Sequence, residues 1–172
     1  MDIRDLLVDG IAQLAEWTED ALKDLSAEQM NFLAEGMTTS IGFSAWHVYR
    51  TADNITNFVL QQKQPIWLAQ DYVTRMNLPK VAQGTGMGME DARGITIADP
   101  ALLLEYGRIV LDDSIAYIKR TPLADLEPIQ MIKPLGEMPR WRVMRQVLMT
   151  HGFMHLGEIN VLRGMMGLRF SI

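Results

Sequence analysis

Three histidines, His47, His151 and His155, are the side chains of this 172-residue chain whose type and spacing point to chemistry. Neutral imidazole offers a nitrogen lone pair, which suits metal binding or proton transfer. His151 and His155 lie four apart in a segment whose stripe runs Met144, Val147, Leu148, His151, His155, Ile159, Leu162, Met166. Four steps of about 100° return to nearly the same direction, so the two Cβ atoms stand about 6 Å apart on one helix face. Both rings then reach a single ion through bonds of about 2.0–2.1 Å. The pair replaces core residues in that stripe, and buried imidazoles need partners for their nitrogens, some of which a metal supplies. His47 shares a second stripe with Phe43, Val48, Thr51, Asn54, Ile55, Phe58 and Val59. It lies near a helix start, whose positive end disfavours imidazolium and leaves the metal-competent form. The spacing therefore predicts three inward histidines from two helices, forming a facial site with positions left open. Two other readings share it: histidines satisfied within a core, and haem ligation with a methionine, which the i,i+4 pair suits less well.

Other candidates surround the trio. Glu158, three residues beyond His155, falls on the same face and reads as an acceptor for an imidazole N–H or as a general base, the catalytic candidate here. The competing reading pairs it with Arg163 or solvent. Asn54 is a buried amide bonding a neighbouring helix, or else a substrate-orienting group. Arg140, Arg142 and Arg145 form a solvated face or an anion site. The glycine-rich stretch Gly84 to Gly88 lacks the strand before it and the lysine after it that a phosphate loop needs, and reads as a lid over the metal.

The elements that must position these residues are helical. Ile3, Leu6, Leu7, Gly10, Ile11, Leu14, Trp17, Ala21 and Leu22 give residues 2–24 an amphipathic period. Ser26 and Gln29 form a capping-box pattern before a short helix. Ser40 reads as the N-cap of a helix to about Gln62, and Asp99-Pro100 as N-cap and first turn of another to about Lys119. A last helix begins near Pro139 and ends at Gly164 or Gly167. Residues 63–98 carry no period, and 121–139, with four prolines, reads as a connector. The expected fold is all-α: one domain over residues 1–172, a four-helix bundle with a long irregular crossover between the second and third long helices.

Composition narrows the function classes. Net charge is −5, with pI near 5.2 and no basic block, which disfavours nucleic acid as a partner. No apolar run nears the ~18 residues that cross a bilayer, and acids stand where a signal peptide needs bases. A cytoplasmic protein is expected. Cysteine is absent, so any metal must be held by histidine and carboxylate, and any thiol chemistry must use a thiol from a substrate.

The segment His151 to His155, then Gly157-Glu158-Ile159 and Leu162-Arg163-Gly164, resembles the HxxxH-x-G-[QE]-I…L-R-G signature of the DinB/YfiT-like superfamily. Ser40-Ile41-Gly42 with Trp46-His47 resembles that family's second-helix motif. The resemblance implies a four-helix bundle, often a homodimer, with His47, His151 and His155 binding a divalent ion, zinc or nickel. It also implies a metal-dependent transferase or isomerase using a low-molecular-weight thiol such as bacillithiol or mycothiol. Three neutral ligands leave the ion's charge uncompensated, so it can deprotonate a thiol or lower the pKa of water to about 7. The alternatives are therefore a hydrolase, or a non-enzymatic stress-response or binding domain whose metal braces the bundle.

Overall fold

The structure, a computed structural model, describes residues 1–36 and 39–170. Helix α1 (Ile3–Leu22) starts at Asp2, whose carboxylate accepts from the Arg4 amide while the Asp5 carboxylate reaches back to the Asp2 amide. The short α2 (Ala27–Met30) has the expected box, Ser26 Oγ accepting from the Gln29 amide and Gln29 Oε1 from the Ser26 amide. Helix α3 (Ile41–Asp53) is capped by Ser40 Oγ accepting from the Phe43 amide, and continues as a π-helical stretch, Asn54–Leu60. The crossover holds three short helices, α4 (Ile66–Ala69), α5 (Tyr72–Met76) and α6 (Met89–Gly94). Helix α7 (Pro100–Arg120) starts where Asp99 Oδ1 accepts from the Ala101 and Leu102 amides. The last helix is continuous in three parts: α8 (Arg140–Val143), a π-helical stretch Met144–Thr150, and α9 (His151–Met165).

Packing closes a square. α1 lies against α7 and α9, and α3 lies against the same two, so each long helix has two neighbours around one core. This is the expected four-helix bundle. Leu7, Ile11 and Leu14 of α1, Leu103 and Val110 of α7, and Ile159 and Leu162 of α9 fill its centre. Gly152, between the two paired histidines, lets α1 close on α9, because a Cβ there would overlap Leu14. No helix among the described residues is long and apolar enough to cross a membrane.

Three expectations change. The connector contains an antiparallel hairpin, β1 (Ile129–Ile132) and β2 (Gly136–Pro139), pairing Ile129 with Pro139 and Ile132 with Gly136. Its strands are too short to show alternation in the sequence. Phe58 is 61% exposed rather than inward, and Asn57 and Leu60 are buried instead. A π turn holds more residues than an α turn, so the stripe drifts away from its α-helical register beyond Asp53. At the start of α1, Ile3 and Leu6 are exposed, because the core side of that helix begins at Leu7.

Every residue of α3 from Ile41 to Asp53 is buried, because the crossover covers the side that the bundle leaves open. Its polar side chains must then find partners inside. Asp53 accepts four hydrogen bonds, from the Ile66 amide (2.9 Å), the Trp67 amide (2.8 Å), Asn57 Nδ2 (3.0 Å) and the Tyr106 hydroxyl (2.8 Å). The carboxylate thus caps α4 and ties the crossover to α3 and α7 at one point. Asp53→Ala strands several buried donors and is expected to lower unfolding free energy by roughly 3–5 kcal/mol, read from the midpoint of urea denaturation.

Candidate metal centre

The two helices bring the three histidines together. Nε2 of His151 lies 3.0 Å from Nε2 of His47 and 3.1 Å from Nε2 of His155. The three rings are nearly perpendicular in pairs, at 82°, 86° and 82°, so their ring edges meet at one corner. His47 is buried in α3, whereas His151 and His155 are half-buried. The pair therefore sits at the rim of the α9 core face; Gly152, Leu156 and Ile159 occupy its centre.

The outer nitrogens fix the protons. His47 Nδ1 faces the backbone carbonyl of Gln83, which can only accept, so Nδ1 carries the hydrogen. His155 Nδ1 donates to Glu158 Oε2 at 2.7 Å. Both rings consequently turn a bare Nε2 lone pair toward the shared point. His151 Nδ1 is buried without a hydrogen bond of good geometry, and the Val147 carbonyl nearby favours its protonated form. Val147 belongs to the π stretch that delivers His151, a wide turn of a kind that recurs at functional sites.

Burial favours the neutral form of two of the imidazoles, His47 and His151. Burial pushes His151 down to about 4, helped by repulsion from His155 and His47. Burial likewise lowers His47, against the opposing pull of the Gln83 carbonyl. The hydrogen bond from His155 holds the Glu158 carboxyl below its ordinary value, and Ser44 Oγ lies 3.4 Å from the same oxygen.

These residues fit a divalent ion. Three ligands at about 2.0–2.1 Å from one ion stand about 2.9–3.3 Å apart for angles between octahedral and tetrahedral, and the two distances from His151 Nε2 match, with all three ligand atoms within 4.8 Å of one another. Without a cation, lone pairs at such separations repel. His47, His151 and His155 are the one metal-type cluster among the described residues, so no fourth protein ligand closes the shell.

The open side of the trio faces a cavity of about 450 Å3. Phe43, Ile55 and Val147 form apolar walls from α3 and the last helix, while Gly84 to Met87 and the hairpin turn Ile132 to Leu135 cover it. The glycine-rich stretch thus serves as a wall over the site, as its composition predicts. Asn54 and Glu158 are not among the lining residues. Arg163 donates to the Ala21 and Arg169 carbonyls rather than to Glu158, and joins α9 to the end of α1. Arg142 and Arg145 are exposed.

A family model for the DinB superfamily matches residues 11–159. The chain belongs to the DinB superfamily. A crystal structure of a conserved protein from Enterococcus faecalis has a similar fold, with a TM-score of 0.84 at 19% sequence identity, over 97% of this chain and 99% of that one. No curated protein matches significantly. In this DinB-superfamily chain the histidines of the sequence motifs are the residues that meet, and Glu158 accepts from an imidazole N–H as its spacing suggests, whereas the supports from the crossover have no sequence signal. Arg50, buried and stacked 4.7 Å from the Trp67 ring, points Nη2 at the Val81 and Ala82 carbonyls at 3.5 and 3.4 Å. Together with His47 it grips three successive carbonyls of the crossover. Gly84 follows directly, with φ +100° and no room for a Cβ, which would sit 2.9 Å from His47 Cγ. The glycine itself was visible in the sequence; its contact with a ring 37 positions earlier was not.

Gly84→Ala should therefore push the wall off His47 and weaken divalent-ion binding about tenfold or more, as losses of ligand support do. Competition titration with a chromophoric chelator reads this, with helical circular dichroism unchanged. The metal-free protein should lose stability on acidification: unfolded histidines take up protons below about 6.5, while folded His47 and His151 resist until lower pH. The contribution of these two histidines is thus fully present above about 6.5 and is lost as pH falls toward about 4, measured as the difference in denaturant midpoint across pH between wild type and His151→Ala.

Proposed function

We propose that this protein is a divalent-metal-dependent transferase in which a low-molecular-weight thiol attacks an electrophile. The observation that carries the reading is the convergence of three imidazole Nε2 atoms at the edge of an apolar-walled cavity, with no fourth histidine or carboxylate in the cluster among the described residues. A structural ion is ordinarily enclosed by four protein ligands, whereas three leave room for a reactant. Glu158, the residue able to close the shell, is engaged with His155 Nδ1 instead.

A divalent ion held here supplies a Lewis acid able to keep a thiol deprotonated at neutral pH. The residues do the rest. His47, His151 and His155 would hold the ion through neutral imidazole nitrogens, which would leave its positive charge available to an incoming group. The Gln83 carbonyl and Glu158 hold two rings in the tautomer that presents Nε2. Glu158 acts through His155 as a positioning residue rather than as a general base, because it does not line the cavity. Phe43, Ile55 and Val147 limit water around the reacting atoms, favouring transfer over hydrolysis. The chain has no cysteine, so the sulfur arrives with a substrate.

The resemblance in the histidine motifs supports zinc or nickel as the ion and the thiol as co-substrate. A homodimer in the cytoplasm completes the proposal, and the exposed stripe Met154, Val161 and Met165 on α9 offers an apolar face for the second copy.

Purified protein should bind about one divalent ion per chain, and His151→Ala should lose most of it, by elemental analysis after dialysis. Cobalt-loaded protein should gain a sulfur-to-metal charge-transfer band with at least one of cysteine, glutathione, bacillithiol or mycothiol. Silence toward all four overturns the thiol reading.

A further inference from the structure

The cavity is lined unevenly with charge. Among the described residues lining it, Lys133 is the one lysine, and no arginine, aspartate or glutamate joins it. Lys133 stands exposed in the turn between β1 and β2, at the mouth, and no ion pair ties it to a carboxylate among the described residues. The acids nearest in sequence to the opposite rim, Glu90 and Asp91 of α6, border a separate groove with Asn77 and Pro79. The floor of the cavity is the histidine trio, which would place a bound cation there, with Glu158 behind His155 on the side away from the lining. Between floor and mouth the walls are mainly apolar. In a protein of net charge −5, this opening thus carries a cationic side chain at its mouth and a metal-type site at its base.

We infer that the ligand of this cavity is an organic anion with an apolar body, its carboxylate-class group paired with Lys133 at the mouth and its opposite end at the three imidazoles. The inference rests on the metal site and deepens the proposed function by naming the charge class of the substrate. It does not depend on sulfur. Any metal-seeking head suits the floor, so the two readings separate by experiment.

The test uses cobalt-loaded wild type, Lys133→Gln and Lys133→Glu, first shown to hold equal cobalt. Two probe pairs are titrated while the cobalt absorption is followed. One is 3-mercaptopropionate against 3-mercaptopropionamide; the other, free of sulfur, is succinic monohydroxamate against butyrohydroxamate. In wild type the anionic member of a pair should bind about fivefold more tightly, the size expected of one exposed ion pair. Lys133→Gln should abolish that preference and Lys133→Glu should reverse it. A preference equal in all three proteins, or neutral members binding as tightly as anionic ones in wild type, overturns the inference. A Lys133-dependent preference in the hydroxamate pair with silence in the thiol pair upholds the inference while the thiol reading fails. Silence of the cobalt spectrum toward all four probes overturns the inference.

Discussion

Lone pairs on three nitrogens held 3.0 and 3.1 Å apart repel one another unless positive charge lies among them, and the site is built around that constraint. One proton shared along an edge can relieve only part of it, because His47 and His155 already carry their hydrogens on the outer nitrogens. The arrangement must therefore be held by its surroundings. A carbonyl behind His47, a carboxylate behind His155 and a glycine pressed on the His47 ring supply the grip. Each acts on a ring face or nitrogen that a metal would not use.

The same grip explains why residues 63–98 look formless in sequence yet are ordered. Their short helices are too brief to persist alone. They are fastened to α3 by side chains that α3 cannot leave unpaired: Asp53 at the start of α4, Arg50 at Val81 and Ala82, and His47 at Gln83. Trp67 adds a bond from its indole N–H to the Pro79 carbonyl. Burying the whole of α3 and shaping the cavity wall are thus one structural act.

Placement at the rim of the bundle reconciles two opposed demands. His47 and His151 favour the neutral form because burial lowers their proton affinity. A reactant needs an approach, which a ring in the centre of the core would deny. His151 and His155 are half-buried and open to the cavity, with Gly152 and Leu156 taking the central positions beside them.

What the sequence determined by itself was local. The i,i+4 pair, the caps at Ser26, Ser40 and Asp99, and the apolar stripes act within one or two helical turns, where spacing fixes direction. These suffice for the bundle and for the identity of the three histidines. Tertiary structure decided the rest, because the partners are far apart in the chain. Gln83 meets His47 across 36 residues, His47 meets His151 across 104, and Ser44 meets Glu158 across 114. The π stretches, the short hairpin and the placement of Lys133 at the mouth likewise arise where packing overrides helical periodicity. Residue spacing can orient a side chain on its own helix, but only the folded chain can put something in front of it.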